Sequence, residues 1–169
     1  MLIVGSDGMI GGALFVEASV RQLNPIGTTR RRDVTRYFLD IEHQETGELP
    51  KVKVAYICAG IVGYKNCEGN PHAYRVNVDG TIKIIKRLMA QGTFIVFMSS
   101  DAVEHMLTTS YGLQKSLVEM FMQMSGGGAI IRAGRIERHM LPDLCNLLLD
   151  VGKKRMDGIF NFVPKGALK

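Results

Sequence analysis

Eight residues near the start of the chain, GSDGMIGG at positions 5–12, constrain the fold more than any other stretch. They follow a short apolar run, Leu2–Val4. They lead into residues 10–23, where Ile10, Leu14, Val20 and Leu23 recur at helical spacing as candidate core contacts. Gly5, Gly8 and Gly11 form a GxxGxxG pattern. A tight strand-to-helix turn needs a residue that tolerates positive φ, and close approach of an anion to backbone excludes a Cβ. The helix N-terminus beyond the turn then offers unpaired N–H groups to a phosphate. Such a turn belongs to a parallel α/β sheet.

The rest of the pattern agrees. Strands are expected at residues 2–4, 25–29, 37–41, 52–58, 94–99, 129–132 and 159–163. Helices are expected at 10–23, 71–91 (one long helix or a broken pair), 110–124 and 141–151. FIVFM at 94–98 and VAYIC at 54–58 are apolar almost throughout, as in strands buried on both faces. The order is that of a doubly wound parallel sheet, the Rossmann fold, and 169 residues suit a single domain. Residues 30–36 are too few for a full crossover between parallel strands, which normally takes about a dozen, so that edge is reduced or irregular.

Charge narrows the partners. With 21 Lys and Arg against 16 Asp and Glu, the net charge is +5, which favours an anionic partner. The one dense basic run, Arg30, Arg31 and Arg32, falls just past the second strand, which favours a phosphorylated small molecule over nucleic acid. A carboxylate there would bond the ribose hydroxyls of NAD. This chain has Thr28, Thr29, Arg30 and Arg31 instead, a set suited to a 2′-phosphate, so NADP is expected over NAD. The run reads alternatively as a solvated surface cluster. The expected cofactor residues are Gly5, Asp7, Gly8, Met9, Ile10, Gly11, Thr29, Arg30, Arg31, Asp40, Ile41, Ala59 and Gly60, with Asp40 facing the adenine edge. Cys58, Cys67 and Cys145 have no metal-ligand spacing and are too sparse for a disulfide framework. No metal, no membrane span and no leader peptide are expected, and the location expected is cytoplasmic.

The chemistry concentrates in YGLQK, residues 111–115. Tyr111 and Lys115, at i and i+4, share a helix face. An ammonium beside a phenol lowers the phenol's pKa, so Tyr111 can exchange a proton as a carbonyl and an alcohol interconvert. Ser100, at the C-terminal end of the fifth strand, stands where ligands bind in such sheets. His105 and His139 read as exposed or loop residues. Arg132, Arg135 and Arg138 read as a solvated basic loop or as a diphosphate grip.

These stretches, with CAGIVGYKNCEGNPHAYRVNVDGT, FMSSDAV and IIRAGRI, resemble the short-chain dehydrogenase/reductase superfamily. The likeness is to its extended, nucleotide-sugar branch: dTDP-4-dehydrorhamnose reductase-like and NAD-dependent epimerase/dehydratase proteins. The resemblance implies that Ser100, Tyr111 and Lys115 are catalytic, that Asn77 supports the site, and that Tyr111 and Lys115 also touch the cofactor, Lys115 through the nicotinamide ribose. It implies NADP(H)-dependent reduction of a keto group, on a nucleotide-linked sugar, and a homodimer paired through residues 71–91 and 110–124. Three features depart from the family. The interval from Ser100 to Tyr111 is short, Glu104 replaces an aromatic, and only 37 residues follow Arg132, which implies a reduced substrate region. A second reading therefore stands beside the reductase: an NADP-binding module or sensor without significant turnover.

Overall fold

The first strand, β1 (Leu2–Val4), is buried along its whole length because neighbouring residues face opposite covered surfaces. Leu2 and Val4 belong to one apolar cluster and Ile3 to the other. In this computed structural model, which describes residues 1–31, 36–43 and 48–164, that arrangement repeats across a seven-stranded parallel sheet. The remaining strands are β2 (Ile26–Thr29), β3 (Tyr37–Phe38), β4 (Val54–Ile57), β5 (Phe94–Met98), β6 (Ala129–Arg132) and β7 (Gly158–Asn161). Their spatial order is β3-β2-β1-β4-β5-β6-β7, a doubly wound sheet with its switch point between β1 and β4.

Helices α1 (Met9–Val20) and α7 (Leu141–Lys154) cover one face. Leu14, Leu144 and Leu148 meet Ile3, Tyr56 and Val96 there. On the other face, α4 (Thr81–Ala90) and α6 (Ser110–Met124) bring Ile84, Leu88, Val118 and Met122 against Leu2, Ile57 and Phe97. Each fully buried side chain of this kind contributes about 1.5–3 kcal/mol.

The structure corrects several boundaries. Helix α1 stops at Val20, and a turn with left-handed Gln22 (φ 57°) and Asn24 (φ 48°) follows. Val20 and Leu23 are therefore exposed, at 73% and 41%, and are not core contacts. The third strand shrinks to Tyr37–Phe38, yet it pairs parallel to β2, Thr28 opposite Tyr37, through a connection shorter than a crossover helix. Arg32 lies outside the described residues. Of the two forms expected at 71–91, the structure has the broken one, with α3 (Pro71–Tyr74) and α4 joined by a π-helical segment at Arg75–Gly80. Asn70 caps α3 by accepting from the His72 and Ala73 amides. Two short helices, α2 (Tyr64–Cys67) and α5 (Ala102–His105), escape the apolar pattern because each spans a single turn. Among the described residues no helix is long and apolar enough to cross a membrane.

Candidate active site

The glycine turn is built as its sequence requires. Gly5 has φ +87°, and a Cβ there would lie 2.7 Å from the Ala59 backbone. The Gly5 amide donates to the Thr28 hydroxyl (3.0 Å), and the Ser6 hydroxyl donates to the Thr28 carbonyl (2.9 Å), which ties the loop to β2. The cap of α1, Gly8, has no side-chain partner for the first amides of the helix. The turn opens on a cleft of about 290 Å³ lined by Gly5, Asp7, Gly8, Thr29, Arg30, Ile41, Ala59 and Gly60. Bare amides at a helix N-terminus beside Gly5 and Gly8, which have no Cβ, fit a pyrophosphate.

Five expected cofactor residues do not line this cleft: Met9 and Ile10 line the neighbouring one, Gly11 packs against the Gly5 carbonyl, and Asp40 and Arg31 turn elsewhere. Asp40 turns back on its own chain and accepts from the Glu42 and His43 amides, at 3.0 and 3.2 Å. Burial works against its charge, but the His43 and Glu42 hydrogen bonds hold its carboxyl below the usual range. Leu39, Ile41, Glu42 and Val76 line the cleft in its place. Arg31 is exposed, and its amide donates to the Thr29 hydroxyl (3.0 Å). Sequence reasoning missed Arg36, whose guanidinium pairs with Asp7 (2.6 Å) and lies 5.2 Å from the Phe15 ring centroid. The Thr29 hydroxyl donates to the other oxygen of the same Asp7 carboxylate (2.6 Å). The signal for Arg36 was weak, since it lies seven residues past β2 and approaches the loop only because β3 starts at Tyr37.

A second cleft of about 490 Å³ continues from the first across Gly8, Cys58, Ala59 and Gly60. Met9, Ile10, Ser100, Asp101, Tyr111, Lys115 and Arg135 line it. Ser100 follows β5, and Tyr111 lies in the first turn of α6, whose cap Thr109 accepts from the Gly112 amide (3.1 Å). Tyr111 and Ser100 line the same cleft. Ser100 also donates to Asp101 (3.2 Å) and accepts from the Ala102 amide (3.2 Å).

The electrostatics differ from expectation. Burial pushes the Tyr111 phenol above its usual range, the neighbouring Ser100 hydroxyl pulls it down, and Cys67 and Asp101 push it up again. Lys115 has no part in that balance; its ammonium is buried and engaged by β5. Its Nζ donates to the Met98 carbonyl (2.8 Å) and lies 4.7 Å from the Phe97 ring centroid. Burial lowers the Lys115 pKa to about 8. A lysine depressed on folding costs stability at neutral pH and stops doing so as pH rises from the folded toward the unfolded value. Wild type should therefore gain on Lys115→Met by roughly 2 kcal/mol between pH 8 and pH 10. The difference between the two proteins is the quantity to measure, by urea unfolding. Cys145 and Tyr56 are pushed up by burial and weaken both proteins alike at high pH, whereas Cys58, raised by burial and pulled down by Lys115, is part of the measured difference. Parallel pH profiles would show that Lys115 is not buried as a charge.

Asn77 sits in the π-helical segment and clamps the loop after β4. Its Oδ1 accepts from the Ile61 amide (2.7 Å), and its Nδ2 donates to the Ile61 carbonyl (2.9 Å) and to Gln114 (2.8 Å). The extra residue of a π turn re-aims a side chain, and here it brings Asn77 onto the YGLQK helix. Gln114 was overlooked because an interior glutamine has no signature of its own. The Arg132 reading is also corrected. Its side chain is 17% exposed and pairs with Glu119 (2.6 Å) and Glu104 (2.7 Å), and Glu119 accepts from Ser99 (2.5 Å). Glu104, the departure noted above, is one of its partners. Arg132 is thus a structural ion-pair residue rather than a solvated loop cation.

The sequence model of the NAD dependent epimerase/dehydratase family matches residues 1–119. Among curated proteins none matches the chain. Solved structures similar to it include dTDP-4-dehydrorhamnose reductase from Yersinia enterocolitica. The TM-score is 0.81 at 20% identity, over 95% of this chain and 73% of that one. The enzyme of the same name from Bacillus anthracis, in complex with NADP, aligns with TM-score 0.79 at 15% identity over 98% and 74%. MoeE5, in complex with UDP-glucose and NAD, aligns with TM-score 0.74 at 17% identity over 95% and 75%. At these identities the likeness is one of fold.

Proposed function

Starting from the chain's membership of the NAD dependent epimerase/dehydratase family, we propose that it is an NADP(H)-dependent oxidoreductase reducing a keto group on a nucleotide-linked sugar. The observation that carries this reading is that Ser100, Tyr111 and Lys115 line one cleft, which shares Gly8, Cys58, Ala59 and Gly60 with the cleft at the glycine turn. Gly5, Gly8, Gly11 and the first amides of α1 would hold the pyrophosphate, Ile41 and Ala59 the adenosine, and Lys115 the nicotinamide ribose. A bound nicotinamide supplies or accepts hydride. Ser100 orients the substrate oxygen and Tyr111 gives it a proton. A phenol raised above its usual range stays protonated at neutral pH, the form a general acid needs, and is a weaker acid for it. Asn77, through Ile61, keeps the loop at Gly60 in place. The test is oxidation of NADPH by a panel of keto-sugar nucleotides, followed by nicotinamide absorbance.

One observation favours a second reading. The Lys115 ammonium is engaged by the Met98 carbonyl, an arrangement equally suited to a protein that holds NADP without turnover.

Cofactor choice is proposed to rest on Arg30, which lines the cleft beside Thr28 and Thr29. Arg30→Ala should weaken NADP binding about tenfold, the value of a charge-assisted bond, and leave NAD binding unchanged. Calorimetry with both dinucleotides checks it, and equal NADP affinity in both proteins removes Arg30 from the site.

A homodimer is proposed through α6 and the helix at 71–90. Leu113, Met120 and Met124 are 49%, 54% and 85% exposed on α6, and Tyr74 is 42% exposed on α3. Light scattering at micromolar concentration should report twice the chain mass, and Met120→Glu with Met124→Glu should return a monomer.

A further inference from the structure

Tyr56 lies in β4 on the face covered by α1 and α7, and it is 1% exposed. Its hydroxyl reaches past α7 at Gly152, where an added Cβ would sit 2.1 Å from the phenolic oxygen. A glycine near the end of a helix costs about 1 kcal/mol relative to alanine, and here it lets the phenol through. Buried phenols normally find a partner. This one makes no hydrogen bond to any described residue, and since no polar atom is sealed away unbonded, it opens into the adjoining space.

That space is a cavity of about 550 Å³. It lies at the N-terminal edge of the sheet, the end opposite the glycine turn and Ser100. Leu23, Val54 and Leu149 form apolar walls, and Lys53, Lys153 and Arg155 also line it. Among the described residues none of these three cations is in an ion pair. Arg21 is paired with Glu17 (2.7 Å), and Asp150 is the one carboxylate in the lining. Arg155 caps α7 in the left-handed region, φ +50°, and its Nη2 donates to the Lys53 carbonyl (3.3 Å). Strained non-glycine residues cluster at ligand sites, and this one links the two sides of the cavity.

We propose that this cavity is a second ligand site, distinct from the cofactor cleft, for a small organic carboxylate with an apolar body. Leu23, Val54 and Leu149 take the apolar body. The Tyr56 hydroxyl donates to the carboxylate within the positive field of Lys53, Lys153 and Arg155. Burial raises the phenol's pKa, so Tyr56 stays a donor through the physiological range. The size suits such a ligand, since sites for small molecules span about 300–1,000 Å³. A bare phosphate would leave the walls unfilled, and a neutral alcohol would leave the three cations unanswered.

The test is calorimetry of the full chain with 4-phenylbutyrate, alone and in saturating NADP, with 4-phenylbutanol and inorganic phosphate as comparators. Saturable one-to-one binding of the carboxylate, unchanged by NADP, is expected, with both comparators at least about tenfold weaker. Lys53→Gln combined with Lys153→Gln should weaken it about tenfold, as should Tyr56→Phe, which removes only a hydroxyl. An unchanged thermal midpoint shows that the variants fold. No saturable heat with the carboxylate, equal affinity for either comparator, or wild-type affinity in both variants overturns the proposal. Displacement by NADP also overturns it, because the carboxylate would then sit in the cofactor cleft. NADP titrated alone tests the cofactor reading separately.

Discussion

Tyr111→Phe is expected to lower turnover by about 10²- to 10⁴-fold, the usual worth of general acid catalysis, while NADP binding stays within about twofold of wild type. The ring remains and only the transferable proton goes, so packing around α6 should hardly change. That loss corresponds to roughly 3–5 kcal/mol of transition-state stabilisation. The direction of the pKa shift adds a second signature. The phenol lies above its usual range through burial, so carbonyl reduction, which needs Tyr111 protonated, should hold its rate through neutral pH. Alcohol oxidation, which needs a base, should rise with pH. Wild-type protein that binds NADPH yet oxidises it no faster than buffer with every keto-sugar nucleotide and simple ketone tried would remove the reductase reading. The module reading would then stand, with Tyr111→Phe silent in every assay.

How far the sequence discloses the molecule depends on the range of the interaction involved. The glycine turn, the doubly buried strands and the YxxxK helix are local patterns, and the structure places them at one sheet edge. The exposed Val20 and Leu23 are misread because periodicity continues through a turn that only the left-handed Gln22 and Asn24 reveal. The sequence leaves 71–91 open between one long helix and a broken pair for the same reason, since Val76 and Val78 keep an apolar rhythm through the π turn. At the site, residues in motifs were legible and residues defined by tertiary pairing were not. Arg36 acts through Asp7, Gln114 through Asn77, and Glu119 through Arg132. Arg132 looked like one of three loop arginines because its two carboxylate partners lie 13 and 28 residues upstream. The Tyr111 electrostatics went astray in sign because helical spacing puts Lys115 on the right face but says nothing of where its ammonium turns.

The glycine turn yields the other large effect, and it separates folding from binding. At Gly11 an added Cβ would lie 2.3 Å from the Gly5 carbonyl oxygen and 2.9 Å from its carbon, both backbone. No side chain can swing away there, so α1 must move off β1. Overpacking of this kind costs about 1–3 kcal/mol and occasionally more, and with the Gly5 carbonyl on one side and the Cys58 Cβ at 3.3 Å Gly11→Ala should fall at the upper end, about 3 kcal/mol. Displacing α1 also moves the amides that would meet the pyrophosphate, so NADP binding should fall at least about 100-fold. Gly8 is the contrast. A Cβ there would meet only the Gly5 oxygen at 3.4 Å, an ordinary contact, yet Gly8 lines both clefts. Gly8→Ala should therefore unfold within about 0.5 kcal/mol of wild type and still lose NADP affinity, because its methyl group occupies the space the ligand needs. Urea unfolding and NADP calorimetry on both variants read the two effects apart. Equal NADP affinity for Gly8→Ala and wild type would mean that the dinucleotide does not lie against this turn, whatever Gly11→Ala does to stability.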